Sequence, residues 1–319
     1  MQQEPIDLAN RRKVYFDTSA WDYVSKHARG EEVVCLIRQS GAIVLASVIS
    51  VAEALRTRDP RSRESICSTI LALHGDGHVL ERPQDLTVAA AEAFLRGEED
   101  VILPRTGSGE AIYSHLRNPN SPPSKELRDW LHNMDNNLNR FIEKTRPQQR
   151  DLKTRYCTSK VLEREDFLQI LCELPPTRHL KFSISQMRDL CQVSDIWKAQ
   201  AAALAYMIEL SVRHAPKSKH GKKRPGGPDL WQTVYLGVSE IFVTGDKELL
   251  KAASSVSACL RYPRCVVSRE NFIDGILRNG GGTTESPVVG GPRCHLCGCN
   301  LGSSEGMHCW FFLAFRPRI

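Results

Sequence analysis

The stretch Lys13-Val14-Tyr15-Phe16-Asp17-Thr18-Ser19, followed by Ala20-Trp21-Asp22-Tyr23-Val24, decides the fold class. A short strand-forming run ends in an acid and two hydroxyl residues, and a helical pattern begins at once. A strand that passes directly into a helix belongs to alternating α/β architecture. In open sheets of that kind, ligands gather at the carboxyl ends of the strands. Asp17 stands at such an end.

The pattern recurs downstream. Ile43-Val44-Leu45-Ala46 reads as a short buried strand, and Ser47 is placed to start the next helix, 48–58, which carries Glu53. Much later, Gly226-Gly227-Pro228-Asp229 opens a helix over 229–237, and Glu240-Ile241-Phe242-Val243-Thr244 forms a strand that delivers Gly245-Asp246. Asp17, Glu53, Asp229 and Asp246 are therefore expected at strand ends or on the helices that follow them. Acids held close together repel one another when ionised, and a bound divalent cation removes that penalty. Hard oxygen ligands select Mg2+ or Mn2+ rather than zinc.

Residues 12–103 alternate throughout: strands at 13–16, 42–46 and 77–80, and helices at 20–29, 31–39, 48–58, 62–74 and 85–96. Residues 104–190 break the pattern, beginning with Pro104, Gly107, Gly109, Pro119, Pro122 and Pro123 and continuing into charged helical stretches at 125–144 and 163–173. They read as a helical insertion. The alternation resumes over 191–278. Ser194 or Asp195 caps a helix running to about His214, a basic loop follows, and then come helix 229–237, strand 240–244, helix 246–254, strand 264–267 and a last helix from about Glu270. The expected architecture is one domain over 12–278, a three-layer α/β/α fold with a central parallel sheet. Its core is 12–103 and 191–278, with 104–190 inserted. Residues 279–319 form a Gly-rich flexible tail.

Composition narrows the class. The 319 residues are 41% hydrophobic and 25% charged, as in globular proteins, and no apolar run reaches the length of a membrane span. Residues 1–10 have no apolar stretch of signal-peptide type. Seven of the eleven cysteines (Cys35, Cys67, Cys157, Cys172, Cys191, Cys259 and Cys265) are scattered singly through mostly apolar segments. They read as reduced core residues of a cytoplasmic protein. The tail holds Cys294-His295-Leu296-Cys297-Gly298-Cys299 and then the adjacent pair His308-Cys309. Adjacent ligands rarely serve one tetrahedral centre, so the segment reads as a flexible tail rather than a structural Zn2+ site.

The net charge is +6, and its distribution carries more information than its size. Arg56, Arg58, Arg61 and Arg63 follow the Glu53 helix. Lys217, Lys219, Lys222, Lys223 and Arg224 precede Asp229 in a stretch without acids. Acids at the centre and bases on the rim suit a polyanion held across a metal, with Arg56, Arg58 and the Lys217–Arg224 group as its contacts. Trp21 and Trp231 are expected to pack rather than to stack on bases, and Asp22 and Asp195 are a helix-surface acid and a cap.

Three stretches together resemble a PIN-domain ribonuclease: Val14-Tyr15-Phe16-Asp17-Thr18-Ser19; Ser47-Val48-Ile49-Ser50-Val51-Ala52-Glu53-Ala54-Leu55; and Asp229-Leu230-Trp231-Gln232-Thr233 followed by Ile241-Phe242-Val243-Thr244-Gly245-Asp246. The resemblance covers both halves of the core and neither 104–190 nor the tail. It implies a metal-dependent endoribonuclease in which Asp17, Glu53, Asp229 and Asp246 form an acidic quartet around Mg2+ or Mn2+. Thr244 would be the accompanying hydroxyl, with Thr18 or Ser19 as lesser candidates. It also implies RNA as the partner and, since many members are toxins, leaves room for an antitoxin-like or other protein partner and for a homodimer. Two other readings stay open. One is a PIN scaffold without activity that binds RNA or a protein. The other is a haloacid-dehalogenase-like phosphatase, which would need an acid where Ser19 stands.

Overall fold

The computed structural model describes residues 12–74, 79–98, 115–121, 125, 162–174, 177–213 and 230–280. Four strands, β1 (Lys13–Phe16), β2 (Ile43–Leu45), β3 (Ile241–Thr244) and β4 (Cys265–Ser268), form one parallel sheet in the order β2-β1-β3-β4. Val14 lies opposite Val44 on one side and Ile241 on the other, and Thr244 lies opposite Ser268. The strand order reverses between β1 and β3, so the crevice for a ligand is expected above their carboxyl ends.

Strand residues alternate between two cores, which makes the three layers. Tyr15, Leu45 and Phe242 point into one cluster, formed with α5 (Pro83–Leu95), α6 (Glu165–Cys172), α7 (Ile184–Val193), α8 (Asp195–Arg213), a 3-10 helix (Gln232–Gly237) and α9 (Lys247–Ser257). Val14, Phe16, Val44, Ile241, Val243 and Val267 point into the other. That side is formed by α1 (Thr18–Lys26), α2 (Gly30–Gln39), α3 (Val48–Leu55), α4 (Pro60–His74) and α10 (Arg269–Gly280). Burial on both faces is why β1 and β3 read as unbroken apolar runs rather than alternating ones.

Helix starts follow local chemistry. Asp17 caps α1 by accepting from the Ala20 amide, Ser47 and Ser50 form a reciprocal capping box on α3, Ser183 and Gln186 do the same on α7, and Asp246 caps α9. Of the two caps expected for α8, Ser194 serves: its hydroxyl accepts from the Trp197 amide at 3.2 Å. Asp195 is the first helical residue, and its carboxylate instead pairs with Arg264 at 2.9 Å. Asp22 is a surface acid, paired with Lys26 at 2.6 Å. Trp21 is fully buried against Phe16, ring centroids 4.9 Å apart, and Trp231 is 6% exposed. Both tryptophans are packing residues.

Four expectations need correction or refinement. The strand expected at 77–80 is, in its described part, an isolated parallel bridge between Leu80 and Ser47. The helix expected over 229–237 is a 3-10 helix from Gln232. It lies so close to α8 that a Cβ on Gly237 would come within 2.6 Å of the Ile196 Cα, and only glycine permits that approach. The boundary drawn at 190/191 falls inside α7. Phe167, Leu168 and Leu171 of α6 and Met187 and Leu190 of α7 are fully buried in the same cluster as Tyr15 and Trp197. The described helices between 165 and 190 are therefore part of the core layer. Finally, the described cysteines are free, but Cys35 is exposed on α2; Cys67 and Cys191 are buried, Cys172, Cys259 and Cys265 half-buried, and Cys157 lies outside the described residues. No helix among the described residues is long and apolar enough to cross a membrane.

Candidate functional site

Asp17 sits at the end of the central strand β1, 4% exposed, and its main-chain amide continues the sheet by donating to the Val243 carbonyl at 3.1 Å. Three groups donate to its carboxylate. The Ala20 amide reaches Oδ1 at 2.8 Å, and the Ser19 hydroxyl spans Oδ1 and Oδ2 at 2.8 and 2.9 Å. The Thr244 hydroxyl, from the end of β3, reaches Oδ2 at 2.6 Å.

Both hydroxyls are oriented by the β3–α9 turn. The Gly245 amide donates to Ser19 Oγ at 2.6 Å, and the Asp246 amide donates to Thr244 Oγ1 at 3.0 Å. Each oxygen accepts from the backbone, so each hydroxyl proton is directed at Asp17. Two backbone amides thus fix the donors around one carboxylate before any ligand arrives.

The carboxyl is nevertheless pushed up to about 6 by burial. The hydrogen bonds from Thr244, Ser19 and the Ala20 amide oppose that rise, and the charge of Asp246 adds to it. Asp246 itself is exposed at the start of α9, its Oδ1 accepting from the Glu248 and Leu249 amides at 2.7 and 2.8 Å. Glu53, half-buried in the last turn of α3, accepts from the Thr18 hydroxyl, which links it to the residue next to Asp17.

The structure therefore brings Asp17, Thr244 and Asp246 together at the point where strand order reverses, with Glu53 joined through Thr18. Asp229 lies outside the described residues, as do Lys217, Lys219, Lys222, Lys223 and Arg224. Arg56 and Arg58 are exposed just beyond α3. Arg63 is committed elsewhere, to the Thr57 carbonyl at 3.0 Å and the Asn120 side chain at 2.8 Å.

Sequence reasoning missed the buried triangle behind Asp17. The Tyr15 hydroxyl donates to Gln232 Oε1 at 2.8 Å and lies 3.0 Å from Ser47 Oγ, while its ring stacks on Tyr235 at 4.7 Å. Burial pushes the phenol well above its ordinary value, with Tyr235, Asp17 and Glu53 adding to the rise. It stays neutral and rigid, pinning the ends of β1 and β2 to the 3-10 helix. No local pattern marks a strand tyrosine for this role. Ser19 is only a lesser candidate in the resemblance, and its central place follows from its bonds to the two Asp17 oxygens and the Gly245 amide.

The side chains gathered here offer carboxylate and hydroxyl oxygens, the donor type that hard cations take. An ionised carboxylate has about four acceptor positions, and the contacts from Ala20, Ser19 and Thr244 fall two on each Asp17 oxygen. Among the described residues no three His, Cys, Asp or Glu side chains converge as a ligand cage. Asp17, Asp246 and Glu53 are described carboxylates at this edge, and Asp229 falls outside the described residues. Comparison of the chain with protein-family models, with curated proteins and with solved structures found no match.

Proposed function

We propose that the chain is a metal-dependent endoribonuclease working at the carboxyl ends of β1 and β3. The observation that carries the reading is Asp17 itself: a buried carboxylate at the sheet's reversal point, held by donors yet kept hard to ionise by burial and by Asp246. Such a group gains most from a cation. Asp17, Glu53, Asp229 and Asp246 would hold Mg2+ or Mn2+. When bound, that ion supplies activation of water and neutralisation of charge on the phosphodiester.

The chain's own residues do the rest. Ser19 and Thr244 hold the Asp17 carboxylate in one orientation, so that no reorganisation is needed when substrate binds. Thr18 aligns Glu53, which is placed to orient water. Arg56, Arg58 and the basic residues 217–224 attract the phosphate backbone. On this reading the protein works in the cytoplasm on RNA, alone, as a homodimer or under the control of an antitoxin-like partner.

The test is an RNA cleavage panel with Mg2+ and with Mn2+, comparing wild type with Asp17→Asn. Cleavage should fall by about 100-fold or more in the variant. Equal cleavage by the pure variant would sink the assignment.

A second reading is favoured by the same hydrogen bonds. Asp17 caps α1 and ties β3 to it, which is a structural duty, so a PIN-like scaffold that binds RNA or protein without cutting is its competitor. RNA binding with no cleavage under either metal would select it. The phosphatase reading has less support: the position that needs an acid is Ser19, whose hydroxyl is fully engaged between Gly245 and Asp17.

A further inference from the structure

Arg269 was not singled out by any motif, yet it lies at the same edge as Asp17. It follows Ser268, the last residue of β4, and Ser268 is level with Thr244 in the sheet. Its guanidinium crosses the end of β3. A Cβ on Gly245 would come 2.5 Å from Arg269 Nε and 2.7 Å from its Cζ, so a side chain at 245 would displace it. Nη1 donates to the Ser19 carbonyl at 3.1 Å, Nε donates to Glu270 Oε1 at 2.8 Å, and Cζ stands 4.8 Å from the centre of the Tyr23 ring.

The geometry points to Arg269 as the residue that holds a backbone phosphate of the RNA next to the bond being cut. This rests on the nuclease reading above. Three observations converge on it. The guanidinium is anchored on three sides, by Tyr23, Glu270 and Ser19, so it presents a fixed fork instead of a flexible arm. Its Nη2 has no protein partner among the described residues, in a side chain 28% exposed. It forms no ion pair with Asp17 or Asp246 although it shares their edge; the carboxylate it pairs with is Glu270, at 2.8 Å through Nε.

A fixed cation beside a cluster of acids has a clear use with a polyanion. It takes the phosphate that the carboxylates would otherwise repel, and Arg matches phosphate oxygens in pairs. The residue acts in positioning. It contacts a phosphate flanking the scissile one, and its link to Ser19 keeps that phosphate at a set distance from Asp17.

The experiment uses the full chain and a single-stranded oligoribonucleotide, with binding measured as a function of salt. Arg269→Gln is the main variant, because it removes the charge and the fork while keeping a polar, unbranched stem; thermal unfolding of the variant reports any loss of the Ser19 and Tyr23 contacts. Binding should weaken roughly tenfold at fixed salt. The slope of log Kd against log salt should fall by about 0.7, the value for one phosphate contact on a single strand. Arg269→Lys keeps the charge and should restore the slope. A purely structural strap would change thermal unfolding and leave the slope alone, and that result, or unchanged binding in a folded variant, overturns the inference. Asp17→Asn run alongside separates the two readings. If it abolishes cleavage while Arg269→Gln leaves slope and affinity unchanged, the nuclease stands and the phosphate role falls. If it leaves cleavage intact, the nuclease reading itself has failed.

Discussion

Replacing Asp17 by Asn should make the metal-free protein more stable at neutral pH. The carboxyl ionises at about 6 in the fold against an ordinary value of 3.8, chiefly because it is buried. That displacement corresponds to about 3 kcal/mol in favour of the protonated form. Because the folded state binds the proton more tightly than the unfolded chain, stability falls as pH rises from 3.8 to about 6 and is level above that. Asn has the shape of the neutral acid and never ionises. It should therefore match wild type below pH 3.8 and exceed it by up to about 3 kcal/mol at pH 7. The gain falls short of the full figure because the Asn amide must turn its NH2 toward one of the donors, Ser19, Thr244 or the Ala20 amide. The assay is urea unfolding of both proteins from pH 3.5 to 7.5 in chelator, repeated with Mn2+ at pH 7. Mn2+ should stabilise wild type and have much less effect on the variant. A gap that stays constant with pH, or a variant less stable than wild type at pH 7, would refute the account of Asp17 as a carboxylate strained by burial.

Two further substitutions probe the frame around it. Thr244→Val keeps the buried shape but removes the donor to Asp17 and the acceptor for the Asp246 amide; it should cost about 1–3 kcal/mol and move the pH window of stability upward, both read from the same urea series. Gly237→Ala drives a Cβ into the Ile196 backbone and should destabilise by about 1–3 kcal/mol, with loss of Tyr235 and Trp231 fluorescence signatures at lower urea.

Much of the local structure was legible because its causes are local. The run Val14-Tyr15-Phe16 had to be buried on both sides, and β1 occupies 13–16 as expected. Asp17, Ser47 and Asp246 are cap-forming residues before helical patterns, and each caps the helix that follows. Where local pattern competed with packing, packing decided. Gln232–Gly237 tightened into a 3-10 helix against α8, and Ser194 took the cap that Asp195 left for its bond to Arg264. The described helices between 165 and 190 looked separate because charged residues break the strand–helix rhythm there. Their apolar faces, Phe167, Leu171, Met187 and Leu190, nevertheless reach the common core.

The sequence by itself determined the alternation of strands and helices and the position of Asp17 at a strand end, since both depend on neighbours a few residues apart. Only the tertiary structure decided what surrounds that acid. Thr244 is 227 residues away from Asp17, Gly245 is 226 away from Ser19, and Arg269 is 250 away from the Ser19 carbonyl it binds. Those contacts exist because β1 lies between β2 and β3, an order set by the packing of the helices on both faces. Hydrogen bonds of this reach leave no periodicity in the chain, yet they orient the Asp17 carboxylate and hold the Arg269 guanidinium on the Ser19 carbonyl.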